Sequence, residues 1–478
     1  MIGREAEKED FNRFLESEKS EFVVVFGRRR VGKTYLIREI FDNRFTFYHT
    51  GMANTEMDIQ LQNFNSSLHK YGKIPYPIVS TWLKAFEQLI HLLSNKKQMV
   101  GERSRTKGKK VVFIDEMPWM DTQRSGFVQA LEFFWNSWAS AQKDILLIVC
   151  GSASSWIMNK LIRNHGGLHN RVTQRIYLRP FNLGECEEYF QKNNIVLNRH
   201  QMVECYMIFG GIPYYLSLMK KQFSLAQNVD NMCFAENGML RDEFENLYAS
   251  LFRNHENHVK IVEALSKKAK GMTREEMIEE TQLPNGGGLT KTLVELELCG
   301  FIRKYKAFGK KKRESLFQLT DFFTLFYFNF MNDNKFNDEH YWTNFIENAR
   351  HRAWSGYAFE QVCLAHLPQI KRKLGISGVL TNTASWRSSE TGNGAQIDLL
   401  IERNDKLINL CEMKYVQEQF VIDKKQDENL RNKRAAFKRE TKTNKTVHLT
   451  MITTYGVIHN EYWGHIQSEV TMDDLFEK

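Results

Sequence analysis

Proline and long apolar runs are scarce in this chain. Only 7 prolines occur among its 478 residues, so few positions force a break in regular structure. No apolar run approaches the roughly 20 residues that a membrane-spanning helix requires, and residues 1–5 lack the apolar core of a signal peptide. The sequence therefore predicts a soluble, cytoplasmic protein without a membrane partner.

Cysteine is equally sparse. The 7 cysteines are odd in number, and neither a CxxC pair nor zinc-ligand spacing occurs, which fits a reducing compartment. Three histidines, His165, His169 and His366, are expected to be surface or hydrogen-bonded core residues. The length suggests about three domains. The net charge of +9 favours a polyanionic partner.

The most specific pattern present is a P-loop. An apolar run at 22–26 precedes it and a helical pattern follows it, as this motif requires. Backbone N–H groups of such a loop surround phosphates, with Lys33 expected on the β- and γ-phosphates and Thr34 on Mg²⁺. We therefore predict ATP and Mg²⁺ as cofactors. The three arginines of the P-loop either steer phosphate or stay solvated. The GxxxxGKT motif consists of Gly27, Arg28, Arg29, Arg30, Val31, Gly32, Lys33 and Thr34.

Polar side chains follow two further apolar runs. The run 111–114 ends in Asp115, predicted to bind Mg²⁺ through water, and Glu116, predicted to be the general base that polarises the attacking water. Ser152 follows the next run and either helps to orient that water or caps a helix. Arg171 is either a γ-phosphate finger or a solvated side chain. A finger acting in trans would require a homo-oligomer.

Together these motifs resemble the archaeal-type ATPases of the AAA+/STAND superfamily. The start of the chain, the P-loop, the acidic pair, Gly151-Ser152 and the GGIPYY segment at 210–215 carry the resemblance, over roughly residues 1–330. It implies an α/β fold with a P-loop NTPase parallel sheet at 1–180 and a helical lid at 181–250. It also implies that Gly3 and Arg4 approach the nucleotide base and that Pro213, in the lid, contacts the nucleotide.

Residues 251–330 are predicted to form a winged helix-turn-helix. Three helical patterns precede two strand-like segments at 300–305 and 315–319, and Thr273 opens the second helix with capping-box spacing. The basic residues 310–313 join the strands and suit DNA phosphates. A structural connector or a protein contact is the alternative that the residues leave open. The aromatic run 322–330 favours packing over base stacking.

A second constellation of charged residues lies in the predicted α/β domain at 350–478. Glu412 and Lys414 are two apart on a strand and share a face, and a hairpin would bring Asp398 to that face. Glu360, on an upstream helix, would add a third acid. Such a set fits phosphodiester hydrolysis, with Asp398 and Glu412 holding Mg²⁺ and Lys414 stabilising the charged species.

This Glu…Asp-x13-Glu-x-Lys pattern resembles the PD-(D/E)XK nuclease superfamily, although Ile397 stands where the family has proline. It further resembles the nuclease-like domain of unknown function that follows archaeal-type ATPase modules. The resemblance implies a restriction-endonuclease-like fold and DNA as a partner. We predict an ATP-hydrolysing protein whose nucleotide state controls a DNA-directed nuclease-like domain. The alternatives are a nucleotide-switched DNA-binding or signalling protein with an inactive nuclease fold, and an ATPase acting on protein partners.

Overall fold

The computed structural model of the chain describes residues 1–95, 106, 108–152, 154–163, 166–168, 170–252, 254–305, 308–309, 315–332, 338–345, 348–388 and 395–477. His165, His169 and the basic residues 310–313 lie outside these ranges. The backbone divides into an N-terminal unit, Met1–Arg179, and a C-terminal unit, Pro180–Lys478. This division lies next to the predicted limit at 180. The subdivision of the C-terminal unit into a lid, a winged helix and a nuclease-like domain stays a prediction.

The N-terminal unit alternates helices and strands. In chain order it contains α1 (Glu5–Glu16), β1 (Glu21–Phe26), α2 (Lys33–Phe41), β2 (Phe47–Thr50), α3 (Met57–Gly72), α4 (Trp82–Ser94), β3 (Lys110–Asp115), α5 (Phe127–Phe133), β4 (Ile145–Gly151), α6 (Ser154–Ile157) and β5 (Gln174–Tyr177). Short helical turns cover Met117–Met120, Phe134–Trp138, Ala139–Ala141 and Met158–Ile162.

The described strands of this unit form a five-stranded sheet in the order β2-β3-β4-β1-β5, and all its pairings are parallel. Its central strands are continuous apolar runs because helices cover both faces of such a sheet. The P-loop follows β1, and β4 lies between β1 and the acid-bearing β3. Since parallel strands end at one edge, the loops after β1, β3 and β4 meet there. The α/β fold with a parallel sheet that the sequence predicts for this region is confirmed.

An aromatic core lies on one side of this sheet. The ring of Phe64, on α3, is fully buried, with its centroid 5.3 Å from that of Phe47, 5.5 Å from that of Trp82 and 5.8 Å from that of Phe86. Ring packing therefore joins α3 to β2 and α4 to α3.

The C-terminal unit begins with helices and ends with a second sheet. Its α-helices are α7 (Leu183–Lys192), α8 (Arg199–Phe209), α9 (Pro213–Ser217), α10 (Leu225–Val229), α11 (Glu243–Leu251), α12 (Glu256–Ser266), α13 (Arg274–Thr281), α14 (Gly287–Leu298), α15 (Phe322–Phe326), α16 (Tyr341–Phe345), α17 (Ala349–Ala365), α18 (Leu367–Lys373) and α19 (Lys424–Thr441). Its strands are β6 (Ile302–Tyr305), β7 (Leu316–Leu319), β8 (Thr381–Arg387), β9 (Gln396–Arg403), β10 (Leu407–Lys414), β11 (Thr446–Thr453) and β12 (Ser468–Thr471). Short helical turns cover Asp230–Phe234, Tyr327–Met331, Trp463–His465 and Asp473–Phe476.

Helices α12, α13 and α14 with the antiparallel hairpin β6–β7 form what we call the three-helix module. The expected capping box is present: Thr273 Oγ1 accepts from the Glu276 amide at 3.2 Å, and the Thr273 amide donates to Glu276 Oε2 at 2.9 Å. The element order is the one that the sequence predicts, and whether the module contacts DNA stays open.

The second sheet, which we call the C-terminal sheet, has the order β12-β11-β10-β9-β8 in the described residues. Strands β8, β9 and β10 pair antiparallel, whereas β10, β11 and β12 pair parallel. The connection from β10 to its parallel neighbour β11 runs through α19, because a parallel pair needs a crossover. Helix α17 precedes the sheet in the chain.

The aromatic run after the hairpin is a packing element, as expected. Phe322, Phe323, Phe326 and Phe330 are buried, and the centroid of the Phe326 ring lies 5.1 Å from that of Trp342. His366 is likewise a satisfied core residue.

Both ring nitrogens of His366 have partners. Its Nε2 accepts from the Leu183 amide at 2.9 Å, and its Nδ1 lies 2.8 Å from the Val362 carbonyl.

Among the described residues, no helix combines the length and the apolar character needed to cross a membrane.

Substituting Phe64→Ala should lower the free energy of unfolding by about 3 to 5 kcal/mol, the usual cost of removing a buried phenyl ring. Ile78→Ala is the matched control, because Ile78 is 68% exposed, and we expect a change below about 0.5 kcal/mol. Denaturant unfolding followed by tryptophan fluorescence measures both. Equal midpoints for the two variants would contradict the packing described for α3.

Candidate functional site

The backbone of the P-loop requires glycine at its first position. Gly27 has φ 150°, and a Cβ there would lie 2.3 Å from the carbonyl oxygen of Leu178. Gly32, with φ 89°, precedes the first residue of α2. The loop therefore closes against the segment after β5 and delivers Lys33 to the start of a helix, where backbone N–H groups are available for an anion.

The Lys33 side chain is buried and curls over the loop. Its Nζ donates to the carbonyls of Gly27 at 3.1 Å and Arg28 at 2.9 Å. Arg28 is only 7% exposed, so the simple alternative of a solvated side chain does not describe it. Arg29 and Arg30 are partly exposed, and Val31 is buried.

The structure brings together the two predicted magnesium ligands of this unit. Thr34 Oγ1 donates to Asp115 Oδ2 at 2.8 Å, and the amide of Glu116 donates to Asp115 Oδ1 at 3.0 Å. Hydroxyl and carboxylate oxygens are the donors that Mg²⁺ prefers, and Mg²⁺ in such sites usually takes its other ligands from water and phosphate. These residues therefore fit the ion.

Glu116 and Ser152 form a pair that sequence reasoning missed. Ser152 Oγ donates to Glu116 Oε1 at 3.0 Å, and the Ser152 amide approaches Glu116 Oε2 at 3.4 Å. Glu116 has φ 44°, a conformation that non-glycine residues rarely adopt and that is common at functional positions. The serine therefore orients the carboxylate. Knowing that β3 and β4 are neighbours would have been the signal for this pair.

The remaining predicted nucleotide residues lie outside the P-loop segment. Arg4 Nη2 donates to the Arg179 carbonyl at 2.7 Å, and Gly3 precedes it with φ 58°. Arg171 is exposed in a turn. Pro213 is the first residue of α9 in the C-terminal unit. Their nucleotide roles stay predictions.

The hairpin β9–β10 places two of the predicted acids side by side. Cys411 pairs with Leu399, so Glu412 and Asp398 follow at the next position and share a face. Lys414 Nζ lies 2.9 Å from Glu412 Oε1, and Lys433 Nζ, from α19, lies 2.8 Å from Glu412 Oε2. Gln396 donates to Asp398. Sequence reasoning missed Lys433, whose signal was its place on the basic helix after the Glu-x-Lys strand.

A cavity of about 1120 Å³ within the C-terminal unit is lined by Asp398, Glu412, Lys414 and Lys433, together with Glu360 of α17. Burial raises the pKa of Glu360 to about 8, and the charges of Asp398 and Glu412 add to this effect. Burial alone would raise the pKa of Glu412, but Lys433 and Lys414 hold it below its usual value. Exposed basic side chains line the same cavity, namely Lys270, Arg352, Lys425 and Arg439.

The described residues contain no group of three or more His, Cys, Asp or Glu side chains arranged to hold a metal ion. Both oxygens of Glu412 are engaged by lysines, so a divalent cation would compete with an ammonium group for this carboxylate. Asp398 and Glu412 fit Mg²⁺ as oxygen donors only if water and phosphate complete its ligands.

Residues 1–219 match the family described as an ATPase domain predominantly from Archaea. An uncharacterised protein of Methanocaldococcus jannaschii is 23% identical over 428 residues, which cover 87% of each chain. Among solved structures, the Walker-type ATPase of Pyrococcus abyssi is similar with 16% identity and a TM-score of 0.47, over 69% of this chain and 96% of that one. The ORC2 protein of Aeropyrum pernix has 13% identity and a TM-score of 0.41, over 69% and 92%. The similarity of residues 1–219 to this ATPase family supports ATP binding and hydrolysis.

Substituting Lys33→Ala should weaken ATP binding about 10- to 100-fold, because a charge-assisted hydrogen bond contributes about 1.5 to 3 kcal/mol. Lys84→Ala, an exposed lysine on α4, is the control and should bind as the wild type does. Titration calorimetry with ATP and Mg²⁺ gives both affinities. Unchanged affinity and turnover in the first variant would refute the P-loop assignment.

Substituting Glu116→Gln should lower ATP turnover by about 10²- to 10⁴-fold, the usual contribution of a general base, while ATP affinity is retained. Ser152→Ala should lower turnover less, because the carboxylate stays but loses its hydroxyl partner. Glu87→Gln, exposed on α4, controls for loss of one charge. Phosphate release under saturating ATP is the measurement, and wild-type turnover in the Glu116→Gln variant would rule out the base.

Proposed function

We propose that this chain hydrolyses ATP and that its nucleotide state controls a DNA-directed, metal-dependent nuclease-like domain at 350–478. The observation that supports it best is the cavity of the C-terminal unit. Partly buried carboxylates, two lysines and exposed basic side chains line it together. Carboxylates suit a divalent cation, whereas exposed lysines and arginines suit phosphate.

The ATPase part of the proposal assigns a role to each group at the edge of the first sheet. Lys33 neutralises phosphate charge. Thr34 and Asp115 hold Mg²⁺. Glu116, oriented by Ser152, accepts a proton from the attacking water. Gly3, Arg4 and Pro213 are proposed to contact the nucleotide, and Arg171 to act as a finger, with a second copy of the chain as its target if it acts in trans.

The nuclease-like part of the proposal rests on element order and on side-chain placement. Two helices, three antiparallel strands, a crossover helix and a parallel strand follow one another from α17 to β11. This order supports the restriction-endonuclease-like fold that the sequence resemblance implies. Asp398, Glu412 and Glu360 come from three different elements and line one cavity.

The proposed reaction is hydrolysis of a phosphodiester. A divalent cation on Asp398 and Glu412 would supply an activated water and a Lewis acid for the phosphoryl oxygens. Lys414 and Lys433 neutralise negative charge near Glu412. Lys270, Arg352, Lys425 and Arg439 are proposed to bind the flanking phosphates and so to position the strand.

A second candidate is a nucleotide-switched DNA-binding protein with an inactive nuclease fold. The specific observation in its favour is that lysines engage both oxygens of Glu412. If these ion pairs persist, the carboxylate neutralises lysine instead of binding a metal, and the cavity serves only to bind phosphates.

The deciding experiment for cleavage is a nicking assay on plasmid and single-stranded DNA with Mg²⁺ or Mn²⁺, with and without ATP. We expect metal-dependent nicking that Asp398→Ala abolishes. Glu418→Ala, which removes an exposed carboxylate outside the cavity lining, should nick as the wild type does.

Absence of nicking under every one of these conditions would contradict the proposed DNA cleavage. Salt-sensitive DNA binding would then identify the second candidate, because phosphate contacts weaken steeply as salt rises. Absence of DNA binding as well would leave an ATPase acting on protein partners.

A further inference from the structure

The hairpin of the three-helix module is seated on the C-terminal sheet. The amide of Phe308, which follows β6, donates to the Ser385 carbonyl of β8 at 2.8 Å. The Phe308 ring packs against the core of this sheet, with its centroid 5.1 Å from that of Phe437 on α19. Phe308 therefore belongs to an intramolecular contact.

The two helices that would face a DNA groove are acidic. Helices α13 and α14 carry two basic and six acidic side chains, and Glu275, Glu279, Glu280 and Glu297 are exposed. The phosphate backbone of DNA attracts cationic protein surfaces, and the affinity of a protein for DNA comes largely from its lysine and arginine contacts. The charge of these helices thus favours the connector interpretation of the module over DNA contact.

The hairpin also holds α17, the helix that carries Glu360. Arg303, on β6, donates to Gln318 across the hairpin and to Gln361 of α17, the latter at 3.2 Å. The Tyr357 hydroxyl donates to the Leu319 carbonyl of β7 at 3.2 Å. Positions 357 and 361 are four apart and share one helix face.

Anchoring one face of a helix fixes its rotation about its own axis. At 3.6 residues per turn, position 360 lies on the face next to that of 357 and 361. With 357 and 361 held by the hairpin, Glu360 lines the same cavity as Asp398 and Glu412. The module contributes to that cavity directly too, because Ala269 and Lys270 line it and Gln318 Nε2 donates to the Ala269 carbonyl at 2.8 Å.

We propose that the hairpin β6–β7 anchors α17 behind the C-terminal cavity and so aims Glu360 at Asp398 and Glu412, with Arg303 and Tyr357 as positioning residues. The inference rests on the proposed function only in taking this cavity as the place where a divalent cation is bound. It assigns the hairpin of the module an internal structural role instead of one in reading DNA.

The test compares Mn²⁺ binding to the nucleotide-free full-length chain, measured by electron paramagnetic resonance, in wild type and variants. Asp398→Ala identifies the part of the signal that belongs to the cavity. Arg303→Met and Tyr357→Phe should each weaken that binding. For Arg303→Met we expect a loss of Mn²⁺ affinity of about tenfold, which is common when a residue that positions a metal ligand is removed. Arg303→Lys, which keeps a donor, should restore part of the loss. Lys304→Met is the matched control, because Lys304 is exposed and faces the other side of the same strand.

A double-mutant cycle separates positioning from general damage. If Arg303 acts through Glu360, Arg303→Met should have no further effect in a Glu360→Gln background. Additive losses, or Mn²⁺ affinities equal to that of the Lys304→Met control, would overturn the proposal.

Hydrogen exchange keeps the inference testable if the wild type shows no Asp398-dependent Mn²⁺ binding, a result that would count against the proposed metal site. Amides of α17 should then exchange faster in the Arg303→Met and Tyr357→Phe variants than in the Lys304→Met control. Equal exchange rates in all three variants would refute the anchoring of α17 by the hairpin.

Discussion

A carboxylate withdrawn from water must be given charged or hydrogen-bonded partners, and both candidate sites are built around that requirement. Asp115 is buried and accepts from the Thr34 hydroxyl and from the amide of Glu116. Glu412 is compensated by ammonium groups from β10 and α19. Glu360 has less compensation, and its raised pKa reflects that difference.

Sheet topology decides which of these groups meet. In the first sheet, β4 is the direct neighbour of β3, so Ser152 arrives beside Glu116. In the second, antiparallel pairing of β9 and β10 sets Asp398 next to Glu412. The same short strings of residues in another strand order would give different neighbours, and therefore different chemistry.

Local strings of sequence were enough to predict the P-loop, the acidic pair after β3, the capping box at Thr273 and the antiparallel hairpin of the three-helix module. Each depends on residues close together in the chain. The Glu116–Ser152 and Glu412–Lys433 pairs were not predicted, because each joins elements far apart in the sequence. The docking of Phe308 was missed for the same reason: one aromatic residue in a basic segment carries no local sign of the core that receives it.

The position of Phe308 also bears on how chains of this kind can diverge. Connections between hairpin strands normally tolerate insertions and deletions, because they lie at the surface and few contacts depend on their length. Here Phe308 supplies a ring to the core of another sheet. Substitutions at this position therefore have to remain compatible with the core of the C-terminal sheet as well as with the hairpin.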